Sequence, residues 1–314
     1  MSQQIFISKP ANSWIQEASL KPIPKMLFSE FWFEGEISIL FADTNLGKSI
    51  LAIQIGDSIS KGKSILGFKL EAEKQKVLYY DFELSGKQLE NRYSKDYDNH
   101  YQFDDNLIRL EIDFDSEISI NEQALKDALE KEILIQDSKV IIIDNLTYLS
   151  SDNEKAKLAL ELMKHLKSLK NKHNLSILIL AHTPKRDFNK PISNNDLQGS
   201  KMLISFCDSS FAIGASYENS SLRYIKQIKQ RNCEQIYHQD NICVCTLNKG
   251  LEGNFLQFEF IEFDSEYNHL NINKDLDFEA KKIEAAQLKA QGWTNQKIGD
   301  KFNVTETAVR KWLK

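Results

Sequence analysis

The sequence predicts an α/β fold with a mostly parallel central sheet, and three observations carry this prediction. Apolar runs typical of strands alternate with helical patterns from residue 37 to residue 182. One of these runs, Val140–Asp144, is continuously apolar up to its last residue, which is typical of a parallel strand buried on both faces. The late strand patterns, around 211 and in 222–228, 236–247 and 255–263, predict an antiparallel extension.

Each element is placed by its own pattern. The parallel strands are short runs rich in Val, Ile, Leu and aromatic residues, and they are expected at 37–41, 76–82, 107–112, 139–144 and 176–181. The helices show apolar residues at spacings of three and four, and they are expected at 48–61, 86–93, 121–135, 153–173 and 200–206.

We expect four segments along the 314-residue chain. Residues 1–25 show no clear period and contain three prolines, so they predict an N-terminal arm. Residues 26–263 contain the strand and helix alternation of the main domain. The polar and acidic residues 264–277 predict a linker, and residues 278–314 predict a small unit of three helices.

Composition excludes several classes of protein. No apolar stretch approaches the ~20 residues of a membrane span, and the N-terminus lacks the pattern of a signal peptide, so we expect a cytoplasmic protein without a membrane partner. The four cysteines lack metal-site spacing, and buried reduced thiols are favoured over a metal site. Residues 279–314 hold eight Lys or Arg against four Asp or Glu, which points to a polyanionic partner for this end.

The most specific motif joins the first parallel strand to the helix that follows it, and it ends in Gly47, Lys48 and Ser49. Such a loop aims backbone N–H groups at phosphate oxygens, while the lysine reaches the β- and γ-phosphates and the serine hydroxyl holds Mg²⁺. Ala42 stands where the usual pattern has its first glycine, which matters only if that φ is positive or the packing is very close. The expected nucleotide-binding residues are Ala42, Asp43, Thr44, Asn45, Leu46, Gly47, Lys48, Ser49 and Ile50.

Asp144 ends the buried strand about one hundred residues downstream of this loop. An aspartate at such a position can hold Mg²⁺ opposite Ser49. Apolar strands that end in aspartate are common, so the prediction of a metal site depends on the phosphate loop that precedes it. Asn145 stands where many such ATPases have a second acidic residue.

Further motifs resemble those of RecA-like P-loop NTPases, and within them of the DnaB/RepA-type hexameric helicases. The resemblance covers about residues 30–260. Beyond the phosphate loop it rests on a Glu-x-Ser-x-x-Gln-Leu segment that starts at Glu83 and is followed by Arg92, on the strand that ends at His182, and on Lys229-Gln-Arg231-Asn232.

This resemblance implies ATP and Mg²⁺ as cofactors and assigns roles to five residues. Glu83 would polarise the attacking water, Arg92 would lie near the nucleotide, and His182 would sense the γ-phosphate. Lys229 and Arg231 would reach the γ-phosphate of a neighbouring subunit, which implies a homo-oligomer, expected as a hexameric ring. In isolation the same residues could be a helix start capped by Ser85, a structural histidine and two solvent-facing strand residues.

The polar loop after His182 carries Lys185, Arg186 and Lys190. By the same resemblance this loop contacts single-stranded DNA, and these cations are the candidates for its phosphates. A solvated loop without a ligand is the alternative.

The C-terminal unit resembles the helix-turn-helix of resolvase- and transposase-type DNA readers. Gly292 ends its first helix, while Thr294 and Thr305 cap the next two. A small core is expected from Ile298, Phe302, Val304, Val309 and Leu313, and contacts with duplex DNA are expected from Thr307, Arg310 and Lys311. The alternative is a three-helix tail that packs on a neighbouring subunit.

Together these patterns predict an ATP-dependent motor that acts on DNA, as in a RepA/DnaB-like replicative helicase of a plasmid, phage or mobile element. An ATP-switched DNA-binding regulator that oligomerises on DNA without unwinding it is the main alternative. A strand-exchange recombinase is a third interpretation, but it would not normally carry the Lys-x-Arg-Asn segment at Lys229.

Overall fold

The computed structural model describes residues 6–113, 122–145, 155–183, 186–197 and 200–313. The strands in these ranges are β1 Met26–Phe28, β2 Trp32–Phe33, β3 Ile37–Ala42, β4 Val77–Asp81, β5 Ser94–Lys95, β6 Asn99–His100, β7 Leu107–Leu110, β8 Val140–Asp144, β9 Ser176–His182, β10 Ser209–Ala215, β11 Leu222–Lys229, β12 Ile242–Asn248 and β13 Gln257–Asp264. The helices are α1 Ala11–Ser19, α2 Lys48–Lys61, α3 Gly86–Arg92, α4 Glu122–Gln136, α5 Lys155–His173, α6 Ser200–Phe206, α7 Ile272–Ala290, α8 Asn295–Phe302 and α9 Glu306–Trp312. None of these helices is both long and apolar enough to cross a membrane.

The central sheet runs in the order β13, β12, β11, β10, β3, β9, β8, β4, β7. The strands from β10 to β7 pair in parallel, and β11, β12 and β13 add antiparallel pairs. The predicted α/β class with a mostly parallel sheet and an antiparallel extension is therefore confirmed.

Two details of the late strands differ from the prediction. The strand around residue 211 belongs to the parallel part, because α6 lies before it and lets the chain cross over and join β3 in parallel. The strand expected from residue 236 begins at Ile242. The residues before it form a loop instead, in which the side chain of Gln227 accepts hydrogen bonds from the backbone N–H groups of Ile236 and Tyr237.

Apolar side chains cover both faces of the sheet. On one face α2 contributes Leu51, Ile55 and Ile59 to a core with Tyr79 and Leu178. On the other face α4, α5 and α6 pack on the alternate strand residues, and this second core contains Leu129, Ile133, Leu162, Met163, Leu166, Leu169, Leu203, Ile141 and Ile177. Burial on both faces explains why the parallel strands are apolar without alternation.

The segment predicted as a linker differs from that expectation. Glu266 and His269 are buried, and α7 begins at Ile272, inside the expected linker. Glu266 meets a buried charge of the sheet there, because Lys226 of β11 places its Nζ 2.5 Å from Glu266 Oε2. At the other end of the chain, α1 in the predicted arm has no buried residue.

The C-terminal helices α7, α8 and α9 enclose a small core. Its buried members are Ala285, Leu288, Ile298 and Val309, with Trp293, Phe302, Val304, Trp312 and Leu313 packed around them. Thr294 and Thr305 cap α8 and α9 through bonds from the N–H groups of Lys297 and Ala308. A three-helix unit with the expected caps is therefore present.

Candidate functional site

The register of the parallel strands brings four strand ends to one edge of the sheet. Ala42 of β3 lies opposite His182 of β9, and Asp81 of β4 lies opposite Asp144 of β8. The carboxyl edge of a parallel sheet is where α/β proteins bind their ligands. The phosphate loop starts from the same edge, so most of the predicted nucleotide site is assembled by topology alone.

The phosphate loop connects β3 to α2. Gly47 caps α2 with a left-handed φ of 95°, and a Cβ built on it would lie 2.9 Å from the ring of Phe258. A glycine is therefore required at this position. Ala42 is different, because it ends strand β3 and its φ is not positive. The departure from the usual glycine pattern at Ala42 has no conformational cost.

The remaining loop residues divide by exposure. Thr44 and Asn45 are exposed at the tip, where Asn45 adopts a left-handed φ of 62°. Leu46 packs against the core, and Ile50 is buried in it. Asp43 accepts a 2.7 Å hydrogen bond from the backbone N–H of Thr44.

Lys48 is buried at the start of α2. Its Nζ donates to the carbonyl oxygens of Ala42 (2.9 Å) and Asp43 (3.2 Å), and it lies 3.3 Å from His182 Nδ1. Burial lowers the pKa of Lys48, while the carboxylates of Glu83 and Asp144 oppose that shift. The ammonium group is thus held at the strand ends beside these acidic groups.

Asp144 is almost completely buried, and burial raises its pKa to about 6. Its Oδ2 accepts a 2.7 Å hydrogen bond from the Tyr79 hydroxyl, and the Ser49 and Tyr79 hydroxyls both oppose the rise of its pKa. Within the described residues, its Oδ1 is buried without a hydrogen-bond partner. A buried carboxylate oxygen of this kind beside a serine hydroxyl fits a hard cation.

Ser49 and Asp144 would hold Mg²⁺ with few protein ligands. In the described part of the chain, no group of three or more His, Cys, Asp or Glu side chains could form a metal cage. Mg²⁺ commonly binds through one or two protein groups and completes its shell with phosphate and water, so Ser49 and Asp144 would suffice for it.

Glu83 lies in the connection between β4 and α3. Its Oε1 accepts a hydrogen bond from Asn145 Nδ2 and lies 3.4 Å from His182 Nε2. The hydrogen bond from His182 lowers the pKa of Glu83, and the charges of Lys48 and Arg92 act in the same direction. A carboxylate that remains ionised beside the phosphate loop can orient a water molecule and accept its proton.

His182 joins Lys48 to Glu83. In the tautomer with a proton on Nε2, Nδ1 accepts from Lys48, and Nε2 faces Glu83 Oε1 at 3.4 Å. The Asn145 amide nitrogen is also a donor and lies 2.9 Å from the same Nε2, so it can bond to His182 only in the other tautomer. A change at the phosphates that Lys48 would contact can therefore reach Glu83 through a single side chain.

Arg92 ends α3, and its charge acts on Glu83. One of its guanidinium nitrogens, Nη1, is buried without a hydrogen-bond partner in the described residues. Ser85 caps the same helix with a full capping box. The helix start expected from the alternative interpretation is thus present, and Glu83 still lies among the other site residues.

Lys229 and Arg231 lie away from this cluster. Lys229 pairs with Ser210 near the start of β10, so it lies towards the edge of the sheet opposite the phosphate loop. Its Nζ donates to the carbonyl oxygens of Ile204 (2.5 Å) and Cys207 (2.7 Å). Arg231 is half exposed, and its Nη1 lies 3.4 Å from Asp208 Oδ1. The nucleotide site of the same chain is therefore built without these two cations.

The basic loop after His182 is only partly described, because Lys185 lies outside the described residues. Arg186 turns towards its own chain, where it donates to the Lys190 carbonyl (2.8 Å) and lies 5.4 Å from the ring of Phe188. Lys190 extends into solvent, with an exposed contact to Asp187. Lys190 is therefore the more accessible of these two cations.

Helix α9 presents its polar face to solvent. Thr307, Arg310 and Lys311 are exposed, and Arg310 pairs with Glu306 one turn earlier at 2.8 Å. On the opposite face Val309 is completely buried. The three predicted DNA-contacting residues therefore share one accessible surface.

Sequence patterns alone do not identify three side chains of the site, Tyr79, Asp81 and Arg109, and they mark Asn145 only as a departure from the usual pattern. Tyr79 bonds to Asp144, Asn145 bonds to Glu83, and Asp81 and Arg109 hold the turn that carries Glu83. Asp81 and Asn145 stand at strand ends next to recognised residues, which is a usable signal. Arg109 is a lone cation in a strand, and its partner is known only from the sheet order.

Comparisons with known proteins agree with this two-part arrangement. The family described as AAA domain matches residues 8–187, and the family described as homeodomain-like domain matches residues 277–314. No curated protein matches the sequence. Among solved structures, a KaiC-like protein from the archaeon Pyrococcus horikoshii OT3 is similar at 11% identity and a TM-score of 0.49, over 73% of this chain and 91% of that one. Because the first match spans more than half of the sequence, the chain belongs to the AAA domain family.

Proposed function

We propose that the protein is an ATP-dependent motor that acts on DNA, of the RepA/DnaB type of replicative helicase, in a plasmid, phage or mobile element. The observation that carries the proposal is the contact series from Lys48 through His182 to Glu83, beside the buried carboxylate of Asp144. This series gives a phosphate-binding group a direct connection to a candidate base.

The roles follow from the family resemblance, and the chemistry of each side chain supports them. Lys48 binds the β- and γ-phosphates of ATP, and Ser49 and Asp144 hold Mg²⁺. Mg²⁺, when bound, neutralises charge on the phosphates. Glu83 orients the attacking water and accepts its proton, while His182 reports the presence of the γ-phosphate to the loop that follows it.

DNA is proposed to bind at two places. The loop 183–197 starts directly after His182, and its cations Lys185, Arg186 and Lys190 would contact the phosphates of a single strand. Helix α9 would enter the major groove of duplex DNA with Thr307, Arg310 and Lys311. Movement of the loop during ATP hydrolysis would then move the single strand.

A ring of subunits completes the proposal. Arg231 is half exposed towards the edge opposite its own phosphate loop, which supports a role at the γ-phosphate of a neighbouring subunit. Lys229 is a weaker candidate, because its ammonium group is held by two carbonyl oxygens of its own chain. A hexamer remains part of the proposal by resemblance.

One observation favours the second candidate, an ATP-switched DNA-binding regulator. Arg186 and Lys229 both contact their own chain, so two of the cations assigned to motor function are engaged internally. A regulator needs the nucleotide site and α9, but it does not need single-stranded DNA.

The deciding experiment measures ATP hydrolysis with and without single-stranded DNA, and Glu83→Gln is the control. Stimulation of tenfold or more that is absent in Glu83→Gln supports the motor. The regulator is supported if hydrolysis is slow and unchanged by single-stranded DNA. It also requires tight binding to a specific duplex, and this binding should weaken in Arg310→Ala. Full activity in Glu83→Gln contradicts the role of this residue as the base.

A further inference from the structure

The turn that carries Glu83 is held by a buried carboxylate. Asp81, the last residue of β4, accepts hydrogen bonds at Oδ1 from the backbone N–H groups of Glu83 (3.1 Å) and Leu84 (2.9 Å). The Asp81 side chain has no exposed surface. Its two acceptor bonds therefore fix the backbone on either side of the Glu83 Cα atom.

A cation from the neighbouring strand holds this carboxylate in place. Arg109 of β7 pairs in register with Tyr79, two residues before Asp81, so the Arg109 and Asp81 side chains lie on the same face of the sheet. Arg109 Nε donates to Asp81 Oδ2 at 2.8 Å, and its Nη2 donates to the Leu84 carbonyl at 2.5 Å. One guanidinium group thus binds both the carboxylate and the turn.

We propose that Asp81 and Arg109 are positioning residues that hold Glu83 beside the phosphate loop. The proposal rests on the function proposed above for Glu83. Neither side chain needs to touch the nucleotide, because both act on the backbone of Glu83 and Leu84. A misplacement of about 1 Å in a catalytic group can cost roughly 100-fold in rate. Loss of the Asp81–Arg109 pair should therefore lower the rate of ATP hydrolysis.

An alternative explanation is that the pair only fastens the edge strand β7 to β4. The chain offers a second ion pair between the same two strand starts as a control for this alternative. Lys74 and Asp104 form an ion pair of 2.6 Å just before the same two strands, at the end remote from Glu83. Loss of this second pair should affect the strands and leave Glu83 in place.

The test compares three variants of the full chain: Arg109→Met, the double variant Asp81→Asn with Arg109→Met, and Lys74→Met. In Arg109→Met we expect kcat to fall at least tenfold, with the affinity for a fluorescent ATP analogue changed by less than twofold. The double variant should recover at least fivefold in kcat, because the amide oxygen that Asp81→Asn introduces can still accept both N–H groups without leaving a buried charge. Lys74→Met should keep at least half of the wild-type kcat.

Hydrogen exchange provides a readout that does not depend on ATP hydrolysis. The amides of residues 83–84 should exchange at least tenfold faster in Arg109→Met, while those of β4 and β8 keep their protection. Unchanged exchange at residues 83–84, or a kcat loss equal to that of Lys74→Met, overturns the proposal. If Glu83→Gln retains activity while the exchange changes as expected, the positioning role of Asp81 and Arg109 is supported and the catalytic role of Glu83 is contradicted.

Discussion

The phosphate loop needs a glycine at position 47 but not at position 42. Gly47→Ala forces a Cβ onto a left-handed φ and against the ring of Phe258, so we expect at least a tenfold loss of ATP affinity and a loss of about 1–3 kcal/mol in the free energy of unfolding. Titration with a fluorescent ATP analogue and thermal unfolding measure these effects.

Ala42→Gly is the matched variant, because it restores the usual first glycine of the pattern. Ala42 has no positive φ, so ATP affinity should stay within twofold of the wild-type value. A tenfold gain in affinity would show that this alanine restricts the loop, against the geometry of β3.

Because the Glu36 carboxyl is buried, we expect the free energy of unfolding to depend on pH. It is buried at the start of β3, where it accepts bonds from Ser209 Oγ (2.8 Å) and Asn232 Nδ2 (2.7 Å), and burial raises its pKa. The nearby charges of Asp208 and Lys170 oppose each other. Because the folded state favours the protonated acid, the stabilisation from Glu36 is complete below the unfolded pKa and is lost as pH rises through the folded pKa.

Glu36→Gln removes this titration. Relative to the wild-type protein, the variant should therefore gain stability as pH is raised above the ordinary glutamate pKa of 4.5, and the gain should level off once pH exceeds the raised folded pKa, as measured by urea unfolding at each pH. A stability difference that is constant with pH, or that moves in the opposite direction, would contradict the raised pKa.

At the scale of elements, the turn between α8 and α9 depends on a close backbone contact. A Cβ on Gly299 in α8 would lie 2.7 Å from the Val304 carbonyl oxygen. Alanine usually stabilises a helix relative to glycine by roughly 0.5–1 kcal/mol, but here the clash should reverse the sign. We expect Gly299→Ala to destabilise the three-helix unit by about 1–3 kcal/mol and to weaken duplex binding.

Tryptophan fluorescence during unfolding can follow this change, since Trp293 and Trp312 lie in the C-terminal unit. Gly86→Ala, in the first turn of α3, is the control, because a Cβ there meets no atom within 4 Å. If Gly299→Ala and Gly86→Ala lowered the free energy of unfolding equally, the close contact at Gly299 would not explain the loss.

The elements of the site differ in how far the sequence predicts them. Asp144 and His182 each end a strand with a local apolar pattern, and Lys48 begins the helix after a third such strand, so strand order brings the three together. The partner of Arg109 and the internal bonds of Lys229 depend on contacts between distant segments, which local patterns do not encode. The expected linker differs for the same reason: its acidic composition is typical of a linker, but Glu266 is the counter-ion of Lys226.

At the scale of the whole molecule, residues 265–271 connect the central sheet to α7 and to the helix-turn-helix unit. Glu266 accepts at Oε1 from the Ile192 N–H (2.7 Å) and the Tyr224 hydroxyl (3.0 Å), and its Oε2 binds Lys226. Lys226 also donates to the Ile192 carbonyl at 2.8 Å. The loop that follows His182 and the segment that leads to α7 are thus fastened to one buried ion pair.

Removal of one partner of this pair should be costly. Glu266→Ala leaves the Lys226 ammonium buried without its counter-ion, and we expect the free energy of unfolding to fall by about 3–5 kcal/mol. Urea unfolding of the full chain measures this loss. Lys226→Met combined with Glu266→Gln should be less destabilised than Glu266→Ala, because no charge is left buried and an amide oxygen still accepts from Ile192 and Tyr224.

Glu279→Ala is the control for this experiment, since it breaks the exposed pair with Lys282 on α7 and should cost less than about 0.5 kcal/mol. If Glu266→Ala lowered the free energy of unfolding as little as this control, the Glu266–Lys226 ion pair would not stabilise the connecting segment. A large loss from Glu266→Ala that is partly restored in the double variant would instead show that the stability of the ATPase sheet depends on the chain segment leading to the DNA-binding unit.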